Sequence, residues 1–170
     1  MSRIVRLLEP HDFDCGFIET LRSLAPVELT PLAALMLHLE RQSNGVRTWV
    51  IESDGGVVAT GSLLIEKKFV HSGGIVGHIE DVAVRRDRTG QGLGSQVIEH
   101  LTAEATKAGC YKVILNCQDH LIPFYERLGY RRHDAGMRHN CLERDIARPG
   151  ASSATIANPG YAIASIASGS

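Results

Sequence analysis

His78-Ile79-Glu80-Asp81-Val82-Ala83-Val84-Arg85-Arg86-Asp87-Arg88-Thr89-Gly90-Gln91-Gly92-Leu93-Gly94-Ser95 decides how the rest of the chain is read. Isoleucine and valine alternate with other residues as far as Val84, the pattern of a strand. From Leu93 onward Val97, Leu101 and Ala105 recur every four residues, with Ile98 widening the apolar stripe, the pattern of a helix. Gly90, Gly92 and Gly94 therefore stand where a helix begins. The first turn of a helix leaves backbone N–H groups without an intrahelical partner and carries the positive end of the macrodipole. Glycine there lets a ligand approach the backbone closely. The loop reads as an anion site, for which phosphate is the best candidate, and Arg85, Arg86 and Arg88 surround it with further positive charge.

Spacing narrows the ligand. A Walker loop needs a lysine before its Ser or Thr, which Ser95 lacks, and a dinucleotide fingerprint needs Gly-x-Gly-x-x-Gly where this chain has Gly-x-Gly-x-Gly. Thr89-Gly90-Gln91-Gly92-Leu93-Gly94 resembles instead the acyl-CoA loop of the GNAT acetyltransferases, Gln/Arg-x-x-Gly-x-Gly/Ala. Thr89 stands where that family carries glutamine or arginine.

The bounds on the chain agree with one such domain. Its 170 residues suffice for a single core, and an apolar fraction of 44% is that of an ordinary globular protein. A net charge of −1 gives no bias toward nucleic acid or an anionic membrane surface, so neither is expected as a partner. Cys15, Cys110, Cys117 and Cys141 have no metal-ligand spacing and make no disulfide framework; no metal is expected, and the thiols read as reduced. Glu9, His11, Asp12 and Asp14 interrupt any secretory leader, and no apolar run reaches transmembrane length. The expectation is a soluble, cytoplasmic protein.

Taken in order, Ile4 to Leu8 reads as a strand, and Phe13, Phe17, Leu21 and Leu24 recur at helical spacing until Pro26. Thr30 followed by Pro31 is a helix start, with Leu32, Leu35, Met36 and Leu39 expected to face the core and Asn44-Gly45 to end the helix. Asp54-Gly55-Gly56 joins Val46–Ser53 to Val57–Glu66 as a hairpin. A polar loop, Lys67 to Gly74, leads into the strand Val76–Val84. After the glycine loop come a helix over 92–108, Gly109 as its C-cap, and a buried-type strand Tyr111–Cys117 parallel to the earlier one. His120–Leu128 is a short helix, and Tyr130 to about Leu142 holds a last strand. Beyond Ile146 neither period survives, so residues 1–146 form the domain and 147–170 a low-complexity tail read as disordered.

This element order resembles the GNAT fold: α/β, with a single mixed, mostly antiparallel sheet splayed at the acetyl-CoA site and flanked by helices. Four blocks sharpen the resemblance toward the glucosamine-6-phosphate N-acetyltransferase family. They are Gly77 to Val84, Gly90 to Gly94, Gly109 to Leu115, and Phe124-Tyr125-Glu126-Arg127-Leu128-Gly129-Tyr130. The likeness runs from about Leu63 to Met137.

The resemblance implies acetyl-CoA as co-substrate, glucosamine 6-phosphate as acceptor and a homodimer. It implies that the backbone of Val82, Ala83 and Val84 holds the pantetheine arm as an added strand would, and that the amides of the loop Thr89, Gly90, Gln91, Gly92, Leu93, Gly94 and Ser95 hold the pyrophosphate. Lys68, Phe69, Val70 and His71 fall on the segment that meets the sugar phosphate, and Glu80, Asp81 and Val82 on the sugar-contacting floor. Glu80 and Asp81 are adjacent strand positions facing opposite ways, so they are not read as a dyad sharing one proton. Tyr125 matches the tyrosine that donates to the thiolate of departing CoA. Asn116, beside the same site, stands where relatives are acidic, and Asn140 stands about where relatives place an arginine, with Arg138 as its substitute.

The implied chemistry is direct attack by the sugar amine on the thioester, with positioning and oxyanion stabilisation carrying most of the rate. It involves no covalent intermediate, so Cys117 reads as a structural thiol and not a nucleophile. Two alternatives stay open from the residues: the same module serving another amine or a peptide N-terminus, and a non-catalytic acyl-CoA-binding protein.

Overall fold

A two-residue hairpin seeds the sheet. In a computed structural model, which describes residues 3–139, Asp54 (φ 55°) and Gly55 (φ 77°) are both left-handed, as a type I′ turn requires. They set β2 (Val46–Ser53) antiparallel to β3 (Gly56–Lys67). β1 (Ile4–Leu7) joins β2 antiparallel, β4 (Ile75–Val84) joins β3 antiparallel, and β5 (Lys112–Ile114) joins β4 parallel. The sheet has five strands in the order β1-β2-β3-β4-β5. The expected fold class, a mixed and mostly antiparallel sheet flanked by helices, is the one found.

The chain divides into two compact units, Met1–Ile114 and Leu115–Ser170. The first holds the whole sheet together with α1 (Phe17–Arg22), α2 (Pro31–Ser43), the short turn α3 (Val70–Gly73) and α4 (Leu93–Lys107). Strand alternation sends neighbouring residues to opposite faces of the sheet. Trp49 packs its ring edge-on against His100 of α4 at 5.7 Å, while Val50 joins Leu8, Phe13, Phe17, Ile18, Ala34 and Val57 in the core under α1 and α2. The α4 face contributes Val97, Ile98, Leu101 and Ala105, all buried. In the second unit a 3₁₀ turn, Asp119–Leu121, leads into α5 (Ile122–Arg127).

Several expectations are corrected. The period through Phe13 and Leu24 is not one helix: Gly16, left-handed at φ 95°, separates a 3₁₀ turn at Pro10–Phe13 from α1. In α2 the cap is as expected, Thr30 Oγ1 accepting from the Ala33 N–H at 3.2 Å, but the face is not. Of the expected face only Leu35 packs against the core, half-buried; Ala34 and His38 point inward, whereas Leu32, Met36 and Leu39 are 69%, 61% and 51% exposed. This helix is apolar on nearly every side, so its period identified a helix without choosing its buried face. β5 is three residues long, half-buried, and ends well short of Cys117. No strand occurs among residues 130–139; the rest of that expected strand, Asn140 included, and the expected tail lie outside the described residues.

Candidate functional site

β5 is short, and that opens the sheet. It pairs with β4 only at Val76–His78, so Ile79–Val84 run on with no strand on that side among the described residues. Their other edge pairs with β3 at Ile79, Glu80, Ala83 and Val84. Backbone N–H and C=O groups left over on an otherwise ordered strand are a template for an extended ligand. The structure thus brings Val82, Ala83 and Val84 to a free edge.

Just before that edge the strand is deformed. Ser62 pairs with Glu80 and Thr60 with Ala83, so Asp81 and Val82 together face Gly61, and Asp81 takes a left-handed φ of 53°. This is a β-bulge, and it interrupts the simple alternation expected at Glu80 and Asp81. Arg41, reaching from α2, donates from Nη2 to Asp81 Oδ2 and to Ser62 Oγ, both at 2.9 Å, and Ser62 shares a hydrogen bond with Thr48 at 2.9 Å. The bulge is therefore tied to two strands and a helix. Glu80 is half-buried, and its carboxyl is raised above the usual range by burial first and by the Asp81 charge next, against the pull of Arg41. The Asp81 charge acts on the Glu80 carboxyl, while the direct salt bridge to Arg41 belongs to Asp81.

Beyond Val84 the loop carries Gly90 (φ 81°) and Gly92 (φ 77°), the latter as N-cap of α4 with no side-chain cap. Nothing lies within 4 Å of where a Cβ would be at either position, so glycine is required by the backbone conformation, over open space. The uncapped amides at the start of α4, where Leu93, Gly94 and Ser95 lie, suit a phosphate. Arg3 holds the loop from outside, donating to the Gln91 carbonyl at 3.0 Å. Two of the three arginines expected to supply charge are already paired, Arg85 with Asp87 at 2.7 Å and Arg88 with Asp54 at 3.1 Å.

The Lys68–His71 segment is a structured turn at the end of β3. Lys68 Nζ meets Glu66 Oε2 at 2.6 Å, and His78 Nε2 meets the same oxygen at 2.8 Å. Lys68 and then His78 hold the Glu66 carboxyl below its usual range. Phe69 and Val70 are exposed. His71 (φ 53°), Ser72 (φ 54°) and Gly73 (φ 81°) are all left-handed, and the Lys68 N–H donates to the Gly74 carbonyl at 2.8 Å to close the turn.

In the second unit Tyr125 packs edge-on against Phe124 at 5.0 Å and Tyr130 at 6.0 Å. Its phenol is pushed up to about 12 by burial, then by Cys117 and Tyr130, so it stays protonated at physiological pH and can donate. Burial, followed by Asp119, raises the Cys117 thiol, the opposite of an activated nucleophile. Asn116 is exposed, and Arg138 lies in a stretch without helix or strand. Arg41, Ser62, Glu66 and His78 were given no role from the sequence; apart from the Glu66–Lys68 pair, they act through partners at least 12 residues away, and no local pattern marks such a contact. Among the described residues no group of three or more His, Cys, Asp or Glu side chains is placed to hold a metal ion.

Comparison with known proteins adds independent findings. A family model described as the acetyltransferase (GNAT) family matches residues 11–130. The chain is 39% identical over 140 residues to a glucosamine 6-phosphate N-acetyltransferase of Candida albicans, covering 80% of this chain and 93% of that protein. It is 38% identical over 141 residues to a protein of the same name from Trypanosoma brucei brucei, covering 79% and 92%. Among solved structures, that of the glucosamine-6-phosphate N-acetyltransferase from Arabidopsis thaliana superposes with a TM-score of 0.79 at 36% identity, covering 84% of this chain and all of that one.

Proposed function

The chain belongs to the GNAT acetyltransferase family, and from that premise we propose that it transfers the acetyl group of acetyl-CoA to the amine of glucosamine 6-phosphate. The product is N-acetylglucosamine 6-phosphate, an intermediate on the way to UDP-N-acetylglucosamine. One observation carries the acyl-donor half: the free edge of β4 runs into an uncapped helix start through left-handed glycines. An extended amide chain ending in a pyrophosphate has the chemistry that such a strand edge and helix start recognise. The acceptor half is supported by relatives that carry this activity in their names and by the Lys68–His71 turn, where an ammonium and an imidazole suit a phosphate dianion.

In this reading the amides of Val82, Ala83 and Val84 hold the pantetheine arm, and those of Gly90 to Ser95 hold the pyrophosphate. Glu80 and Asp81 orient the sugar, with Arg41 holding Asp81 in its bulge. The free amine attacks the thioester carbonyl, a tetrahedral oxyanion forms and collapses, and the sulfur leaves as thiolate while the nitrogen loses a proton. Tyr125 donates to that thiolate. An amine with a pKa near 8 is partly neutral at pH 7, so a water or a backbone carbonyl suffices as base even with Asn116 in place of a carboxylate. Arg138 or Asn140 completes the phosphate contacts, and the enzyme acts in the cytoplasm as a homodimer.

Initial velocities measured while both substrates are varied test the direct-attack mechanism. Intersecting double-reciprocal lines are expected for a ternary complex. Parallel lines would mean an acetyl-enzyme intermediate and overturn the mechanism.

A further inference from the structure

The turn that carries Lys68 and His71 adopts a conformation the chain does not choose freely. His71 and Ser72 are both left-handed without being glycine, a conformation that L side chains rarely adopt and that carries strain. Strain of this kind persists only where the surroundings impose it. Inside the turn, the backbone supplies the Lys68 N–H to Gly74 carbonyl bond at 2.8 Å and a longer Gly74 N–H to Val70 carbonyl bond at 3.3 Å. Neither contact touches the His71 side chain.

What touches it is Tyr111. The two rings lie 5.0 Å apart at a tilt of 54°. Tyr111 is itself anchored where the chain enters β5, its N–H donating to the Ile75 carbonyl at 2.9 Å, and Lys112 Nζ lies 5.7 Å from its ring centre. Its ring also sits against Gly74: a Cβ built on Gly74 would fall 2.9 Å from Tyr111 Cε1 and 3.0 Å from Cδ1. Gly74 is in ordinary extended backbone (φ −56°, ψ 152°), so conformation does not call for glycine there; the space taken by the Tyr111 ring, with His71 Cβ at 3.1 Å beside it, does. About half of Tyr111 remains exposed, although no hydrogen bond from its hydroxyl would be needed for this packing.

We infer that Tyr111 is a positioning residue for the acceptor's phosphate: its ring, seated on Gly74 and against His71, holds the left-handed turn in the shape that presents Lys68 and His71 to that group. The inference rests on the proposed acetyl transfer to glucosamine 6-phosphate and adds a residue to it. Only the ring makes the contacts, so the hydroxyl is dispensable, and the turn precedes β4 while the donor residues start at its bulge, so phosphate recognition is separable from the acyl-donor site.

The test is steady-state kinetics of wild type, Tyr111→Ala, Tyr111→Phe and Gly74→Ala with glucosamine 6-phosphate and with glucosamine. For Tyr111→Ala the KM for glucosamine 6-phosphate should rise about tenfold or more, as misplacement of a positioning group does. The KM for acetyl-CoA and the efficiency on unphosphorylated glucosamine should stay within about twofold of wild type. Tyr111→Phe should behave as wild type, and Gly74→Ala, which leaves the ring chemistry intact but takes its seat, should reproduce the alanine effect. Gly74→Ala carries the test if Tyr111→Ala fails to fold. Losses equal on both sugars, a parallel rise in the acetyl-CoA KM, or unchanged KM in both Tyr111→Ala and Gly74→Ala would overturn the role of Tyr111 while leaving the acetyltransferase reading intact. A wild type that fails to prefer the phosphorylated sugar would overturn both together.

Discussion

At the scale of single residues, two side chains carry the sharpest expectations. Tyr125 keeps its proton at neutral pH because burial, then Cys117 and Tyr130, push its phenol up to about 12. Phenylalanine preserves the ring packing and deletes only the donor, so Tyr125→Phe should lower kcat by about a hundredfold, the lower end for a general acid. Acetyl-CoA affinity should hold, since the hydroxyl matters once charge develops on sulfur. Single-turnover kinetics within about twofold of wild type would remove Tyr125 from the chemistry. Glu80 is the second. Burial and the neighbouring Asp81 raise its carboxyl above the ordinary 4.5, so it loses its proton later than a surface glutamate as pH rises. If its charged form orients the sugar amine, kcat/KM should fall on the acid side with a midpoint above 4.5, and Glu80→Gln should abolish that limb. An acid limb unmoved in Glu80→Gln would assign it elsewhere. Both residues were legible in the sequence because they sit inside compact blocks. Arg41 was not: its partner Asp81 lies 40 residues away, and only the bulge brings the two together.

Elements were legible in proportion to how local their cause is. Asp54-Gly55 fixed a hairpin, and Thr30-Pro31 a helix start, from adjacent residues alone. The buried face of α2 depends on which side meets the sheet, and the length of β5 on where a neighbouring strand stops; neither is written in the periodicity. The glycine loop shows the same division. Sequence spacing marked Gly92 as a close-approach position, and the structure adds that its φ of 77° is itself a requirement, with open space where a Cβ would go. Gly92→Val should therefore act through the backbone, since a β-branched residue held left-handed costs roughly 1–2 kcal/mol or more. If the loop relaxes out of that shape its amides no longer converge on the pyrophosphate, and the acetyl-CoA Kd should rise about tenfold or more. Calorimetric titration of a folded Gly92→Val with unchanged Kd would reduce the loop to a packing turn.

At the scale of the molecule, the N-terminal strand is locked to the unit it helps build through a buried ion pair. Arg6 grips Asp12 through Nη1 and Nη2, at 2.7 and 2.8 Å, and also binds Glu52 at 2.8 Å, while the Glu9 N–H donates to Asp12 at 2.8 Å. Burial alone would raise the Asp12 carboxyl, but the hydrogen bonds from Arg6 and the Glu9 N–H outweigh it and hold it below its usual value. A carboxyl held low in the folded state contributes stability above its unfolded pKa of about 3.9, and that contribution disappears as pH falls through the lower folded value. Asp12→Ala removes the buried partner of Arg6 but leaves it Glu52, and should cost about 1.5–3 kcal/mol in urea unfolding at neutral pH, with the difference from wild type shrinking in acid. An unchanged midpoint would show that the pair contributes no net stability. Acetyl transfer from acetyl-CoA to glucosamine 6-phosphate is a property of the whole chain. The most direct measurement is release of free CoA thiol from acetyl-CoA by the purified full-length chain with glucosamine 6-phosphate, with glucosamine, and with no acceptor, the acetylated product being identified by mass spectrometry. Thiol release that depends on glucosamine 6-phosphate, matches the N-acetylated sugar phosphate formed, and far exceeds that with glucosamine is the expected result; thiol release that is no faster with glucosamine 6-phosphate than without acceptor would contradict it.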